Sequence, residues 1–224
     1  MAALPLRVAR TLPPVPGRVP PELPSGLLVE FSGTRQSARL SSVVSALRAA
    51  QSKGETTAWV QDAHGPLYPP DLAEAGVDLS ALAVVRVPAS PGRRRGYPGR
   101  EALVRATEML VRTGAFGFVI VDVREEERRP IRRDPSSGAP WRLPPAWQGR
   151  LLGAVRDHGS RIVFLSSHPP FRESVGSLVG LRLEPHRVRV APGLFAIEHQ
   201  VLKNKPGLPF ADASETRRGP WGLR

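Results

Sequence analysis

The run Leu27-Leu28-Val29-Glu30-Phe31-Ser32-Gly33-Thr34-Arg35-Gln36-Ser37-Ala38-Arg39-Leu40 decides the fold. Leu27 to Phe31 reads as a strand that stops at Ser32-Gly33, and a helical pattern follows with Leu40, Val43, Val44 and Leu47 on one face. A strand, a glycine turn and a helix in that order open an α/β unit whose ligands bind beyond the carboxyl ends of the strands. The same slot invites comparison with a phosphate-binding loop, Gly, four residues, then Gly-Lys-Ser/Thr, whose amides cradle phosphates while Lys neutralises them and the hydroxyl holds magnesium. Gly33 is in place. Ala38 stands for the second Gly, Arg39 for the Lys and Leu40 for the hydroxyl residue, and Leu40 cannot coordinate a metal. Arg39 keeps a charge, but its planar head does not replace an ammonium in a tight cradle.

Further strands are expected at Thr57 to Val60, Leu82 to Val87, Phe116 to Val121 and Ile162 to Leu165, each a short apolar run. Asp122 sits at the carboxyl end of the third of these. Helices are expected at Glu101 to Val111, stopped by Thr113-Gly114, and as a short piece around Leu151, Leu152 and Val155. Loops are expected from His64-Gly65-Pro66 to Pro69-Pro70, across Pro88 to Pro98, and as an irregular excursion from Arg124 to Gln148. Leu178 to Leu183, Arg187 to Val190 and Leu194 to Leu202 alternate in type, which suits antiparallel strands at a C-terminal edge. The fold class is therefore α/β: a mostly parallel sheet flanked by helices, with that antiparallel edge. Residues 1–25 read as a proline-rich arm, with seven prolines from Pro5 to Pro24, residues 26–210 as the core and residues 211–224 as a flexible basic tail.

Of 224 residues 41% are hydrophobic, enough for a large core, and no run of about 18 apolar residues suggests a membrane span. There is no Cys, which removes disulfides, thiolate catalysis and Cys-based metal centres, and a bacterial cytoplasm is the expected location, with association to the nucleoid when bound. Net charge is +12, yet only three of the 32 basic residues are lysine, Lys53, Lys203 and Lys205, and Pro reaches 25. The charge reports either a polyanion partner or the codon bias of a GC-rich genome. Candidate DNA contacts are Arg93, Arg94 and Arg95 and, beside Glu125 to Glu127, Arg128, Arg129, Arg132 and Arg133; a solvated charged loop is the alternative.

Taken in order, six stretches resemble the RecA core. They are Leu28 to Ala50, Ala58-Trp59-Val60-Gln61-Asp62-Ala63-His64, Gly76-Val77-Asp78-Leu79 with its following strand, Leu110-Val111-Arg112-Thr113-Gly114-Ala115, Phe118-Val119-Ile120-Val121-Asp122, and Val201-Leu202-Lys203-Asn204-Lys205 with Pro209-Phe210. The resemblance implies a nucleotide site left degenerate at Gly33, Ser37, Arg39 and Asp122. The carboxylate that activates water falls at or beside Ala63, where only Asp62, one position out of register, is acidic. Asp122 matches the acid that assists magnesium, but faces Leu40 rather than a hydroxyl. No catalysis, metal or cofactor is expected. The first DNA-binding loop is the Arg-rich insert after Asp122, and the second is shortened to His168-Pro169-Pro170-Phe171-Arg172-Glu173.

The resemblance further implies that Lys203, Asn204 and Lys205 reach across a subunit interface toward a neighbour's nucleotide; a surface Lys pair is the plainer alternative. Among RecA-like proteins with broken sites the chain looks most like the ImuA family. That likeness implies an accessory role in damage-induced (SOS) translesion mutagenesis, with ImuB, an error-prone polymerase and RecA as partners, single-stranded DNA as a further candidate and no membrane. Arg217, Arg218 and Trp221 in the tail make a candidate partner-binding peptide. A DNA-stimulated ATPase or recombinase paralogue, or a division inhibitor of the SulA type, are the alternatives. The histidines lack metal-ligand spacing, and Ser166-Ser167-His168 lacks a nucleophile elbow.

Overall fold

A computed structural model describes residues 16–17, 23–34, 37–63, 65, 67–88, 100–123, 141–209 and 215–218, with backbone alone at 16–17, 100 and 215–218. The elements are β1 (Pro16–Gly17), β2 (Leu28–Phe31), α1 (Arg39–Gln51), β3 (Thr57–Asp62), α2 (Pro69–Glu74), β4 (Leu82–Val87), α3 (Arg100–Arg112), β5 (Phe118–Asp122), α4 (Pro145–Asp157), β6 (Arg161–Leu165), β7 (Leu181–Ala191), β8 (Leu194–Asn204) and β9 (Glu215–Arg218). They form one sheet in the order β1-β8-β7-β2-β6-β5-β3-β4, with β9 also on β8. From β4 to β7 every neighbouring pair is parallel, and β8 turns the edge antiparallel.

The central strands are apolar throughout because both of their faces are covered. Along β5, Val119 and Val121 join Leu28, Ile162 and Phe164 in a core under α3 and α4. Phe118 and Ile120 point the other way, packing with Val29, Phe31, Trp59 and Val163 under α1 and α2. Successive side chains alternate between the two layers, as the period of a strand requires. Helix α1 contributes Val43, Val44, Ala46, Leu47 and Ala50 at helical spacing.

The expected strands and the two main helices form close to where the sequence puts them, and several expectations need correction. Leu181 to Leu183 of the first expected run and Arg187 to Val190 are parts of one eleven-residue strand, β7, which Leu178 to Gly180 precede. Pro185 does not interrupt it, because a proline is tolerated where its missing N–H would point away from the ladder. The expected excursion to Gln148 ends earlier: α4 begins at Pro145 and runs for 13 residues, proline being suited to a first turn that needs no N–H donor. The same reason makes Pro69-Pro70 the start of α2 rather than loop. In the expected flexible tail, Glu215 to Ile197 and Arg218 to Leu194 bound a paired segment, so β8 imposes strand structure on residues with little β-propensity of their own. At the other end Pro16–Gly17 pairs with His199 and Gln200, and Leu23 is buried. Arg93 to Arg95, Arg128 to Arg133, His64 and Trp221 lie outside the described residues.

Phe164 is fully buried, its ring 5.9 Å from that of Trp141. Phe164→Ala should destabilise the fold by about 3–5 kcal/mol, read from the midpoint of urea unfolding at unchanged m-value.

Candidate functional site: the carboxyl ends of β2, β6 and β7

Strand β2 lies between β6 and β7, while its crossover helix α1 leads away to β3, so the chain diverges here and opens a crevice at the strand ends. The turn after β2 is close-packed. Gly33 has φ +138, and a Cβ on it would lie 2.8 Å from the Ser37 Cβ and 3.2 Å from Glu184 Oε1, so only glycine fits. Ser37 N–H donates to Thr34 O at 3.0 Å, and Ala38 N–H donates to Pro185 O of β7 at 2.9 Å. Helix α1 then starts at Arg39 with no side-chain cap.

Arg39 is buried and turns back into the loop it would be expected to serve. Its guanidinium donates to Thr34 O at 3.0 Å, to Ser166 O at the end of β6, and to Ser167 Oγ at 3.4 Å. Leu40, at the hydroxyl position, is 44% exposed. Behind Gly33 lies Glu184, a buried carboxylate 3.6 Å from His186 Nε2; burial raises its pKa, against the opposing pull of His186, Arg182 and Arg39. As the loop is folded, a phosphate entering it would have to displace Arg39 from Thr34 and Ser166, break the Ala38–Pro185 bond and approach a carboxylate. Asp122 is buried at the end of β5, beside Leu165 in register, and Asp62 closes β3, so both acids sit on the same rim of the sheet.

A second cluster beside the loop was not anticipated. Glu30, mid-strand in β2 and fully buried, is in register with Arg182 of β7, and its Oε2 lies 3.6 Å from Arg182 Nε. Glu30 also accepts from Ser166 Oγ and Ser174 Oγ, each at 2.6 Å, and from Val175 N–H at 3.1 Å. Arg182 donates to Ser32 Oγ at 2.9 Å, to Pro169 O at 3.0 Å and to Arg172 O. His168 is held through Nδ1, 3.0 Å from Glu173 O. The loop of residues 166–180, which contains the His168 to Glu173 stretch, is thereby bound to the sheet, and Phe171 within it is 85% exposed. A lone Glu inside an apolar strand was the one signal available in the sequence, since a buried charge demands a partner.

Lys203, Asn204 and Lys205 lie at the end of β8, where Lys203 is in register with Arg182. Both lysines donate to Ser177 O, Lys203 at 3.0 Å and Lys205 at 2.7 Å, and Asn204 closes a turn with Leu208 through two bonds of 3.0 Å. Burial, with Lys205 next to it, holds the Lys203 ammonium below the usual lysine value. Within a single chain these residues support the 166–180 loop. Arg217 and Arg218 occupy β9, opposite Phe195 and Leu194.

Removing one partner of a buried ion pair leaves a bare charge, so Arg182→Met should destabilise by about 3–5 kcal/mol, and Glu30→Gln added to it should recover much of that loss in denaturant titrations. Glu184 gives a pH-dependent contribution. Its folded-state pKa is raised, so its contribution favours folding while it is protonated and is lost as pH rises from the ordinary glutamate value to the raised one. Glu184→Gln should therefore gain stability relative to wild type above that window and not below it, measured as the difference between paired unfolding curves at acid and neutral pH.

No family model matches the chain. It is similar to Protein RecA of Mycobacterium leprae, 28% identical over 188 residues, covering 82% of this chain and 24% of that protein. It is also similar to Protein RecA of Kineococcus radiotolerans and of Rhodococcus jostii, 29% and 27% identical over 217 residues, covering 85% of this chain and 58% of each relative. The chain thus spans well under two thirds of the curated relatives it matches. Among solved structures, the RadB recombinase matches with a TM-score of 0.55 at 17% identity, over 87% of this chain and 88% of that one. The chain therefore has a RecA-like α/β fold and is similar in sequence to RecA proteins.

Proposed function

We propose that this chain is a non-catalytic RecA-like accessory protein of DNA-damage-induced translesion mutagenesis, of the ImuA kind, that acts by binding ImuB, the error-prone polymerase or RecA. The observation that carries the reading is Arg39, whose guanidinium satisfies the carbonyls of Thr34 and Ser166 where a phosphate would need to sit. Phosphoryl transfer relies on positioning and on charge stabilisation by a metal and a cation. Here Leu40 offers no metal ligand, Ala63 no base, and Arg39 is already engaged. The similarity to RecA proteins supports a place in DNA repair. The bonds of Lys203 and Lys205 to Ser177 leave room for a role between subunits, because a partner can compete for ammonium groups near the surface.

The test combines turnover and binding. With single-stranded DNA and magnesium present, ATP hydrolysis should stay at the level of the Asp122→Ala variant, while immobilised ImuB or RecA filaments should bind the chain saturably. Turnover that Asp122→Ala abolishes would overturn the reading in favour of a DNA-stimulated ATPase. Loss of RecA binding in Lys203→Ala/Lys205→Ala, at unchanged ImuB binding, would assign those lysines to the RecA contact.

A further inference from the structure

We infer that the outer half of β7, residues 186–190, is a docking edge that takes an extended acidic segment of a partner protein as an added strand. The inference rests on the reading that this chain works by binding other proteins, and it names the surface and the chemistry of the segment it accepts.

Strand β7 has a partner on both sides only at its start. It pairs with β8 along its length, but with β2 only at Leu181, Arg182 and Leu183. Past that point, among the described residues, the β2 side holds one further backbone bond, from Ala38 N–H to Pro185 O. Main-chain groups alternate sides along an antiparallel strand. Leu183 O accepts from Ser32 N–H and Pro185 O from Ala38 N–H, so residues of this parity point toward the β2 side, and Arg187 and Arg189 follow them. Among the described residues no strand pairs with that edge. Residues 186–190 are all exposed, with Val188 at 38% and Val190 at 55%.

This is a free template for strand addition, a mode in which main-chain bonds supply affinity and alternating side chains supply selectivity. The side chains specify the occupant. Arg187 and Arg189 share one face, where their register partners on β8 are Ile197 and Phe195, and the Arg187 guanidinium lies 5.8 Å over the Phe195 ring. Val188 and Val190 share the other face. An incoming strand therefore meets cations on one side and β-branched apolar groups on the other, which fits acidic residues alternating with apolar ones. A second copy of the chain is disfavoured, since edge-to-edge pairing would set Arg187 and Arg189 against their own counterparts. A nucleic acid would neutralise the arginines but leave the outward N–H and C=O groups of the edge without strand partners.

The experiment titrates the full isotope-labelled chain with the capped heptapeptide Glu-Val-Glu-Val-Glu-Val-Glu, with its Lys-for-Glu counterpart, and with a 20-nucleotide single-stranded DNA. The expected result is saturable amide shifts centred on residues 186–190 and at least tenfold slower hydrogen exchange at Arg187 and Arg189 with the acidic peptide alone. Arg187→Glu/Arg189→Glu should invert the preference toward the Lys peptide. Arg187→Pro should keep the native spectrum, because it repeats the parity of Pro185, and lose the protection. Peptide binding elsewhere, unchanged binding by the charge-reversed variant, protection by DNA but not by peptide, or no saturable binding at millimolar peptide would each overturn the inference; the last would mean that the arginines guard the edge against pairing. Peptide addition at β7 with no binding to ImuB, polymerase or RecA would overturn the proposed function alone, and partner binding without peptide addition would overturn this inference alone.

Discussion

Glu30 and Arg182 face each other across two adjacent parallel strands in the middle of the sheet, with no solvent available to either carboxylate oxygen or most of the guanidinium. Ionised groups so placed demand full satisfaction, and the chain provides it by bending residues 166–180 over them. Ser166, Ser174 and the Val175 amide complete the carboxylate; Ser32 and the carbonyls of Pro169 and Arg172 complete the guanidinium. Lys203 and Lys205 hold the far side of the same loop. One buried pair thus sets the conformation of the loop, the end of β8 and the rim beside the turn at Gly33. An apolar pair would pack as well, but would leave that loop with nothing to fold onto.

The described part of the turn between β2 and α1 is filled by the protein's own groups. Arginine at position 39 is long enough to reach back to Thr34 and across to Ser166, so its guanidinium is bound within the protein. The Ala38 amide is given to β7, and the Glu184 carboxyl lies close behind Gly33. The loop serves as a joint between β2, α1 and β7.

The fold was legible because its deciding signals are local. Apolar runs such as Phe118 to Val121 and Ile162 to Leu165 can be buried only as doubly covered strands, and Gly33 marks the turn between strand and helix. What escaped depends on partners distant in sequence. Nothing near Glu30 announces Arg182, Ser166 or Ser174, and nothing in Glu215 to Arg218 announces a strand, since β8 alone makes it one. Pro145 and Pro69 misled in the opposite direction, being read as breakers where they begin helices. At the site, the altered positions Ala38, Arg39 and Leu40 could be read directly; where the Arg39 side chain goes could not, because its acceptor on Ser166 lies 127 residues away.

The position of β2 also has a bearing on how the chain acquires its structure. Its sheet neighbours, β6 and β7, both lie in the last third of the sequence, and Glu30 is separated by 145 residues from the Val175 amide that caps it. A chain emerging from a ribosome therefore presents β2 long before either strand neighbour exists, with α1, α2 and Trp59 of β3 as its early packing companions. Parallel sheets with such distant pairings close slowly, because the loop entropy must be met before the contacts form. Until β6 arrives, an apolar strand carrying a carboxylate without its native partners stands open, and unpaired edges of this kind are where association between chains begins.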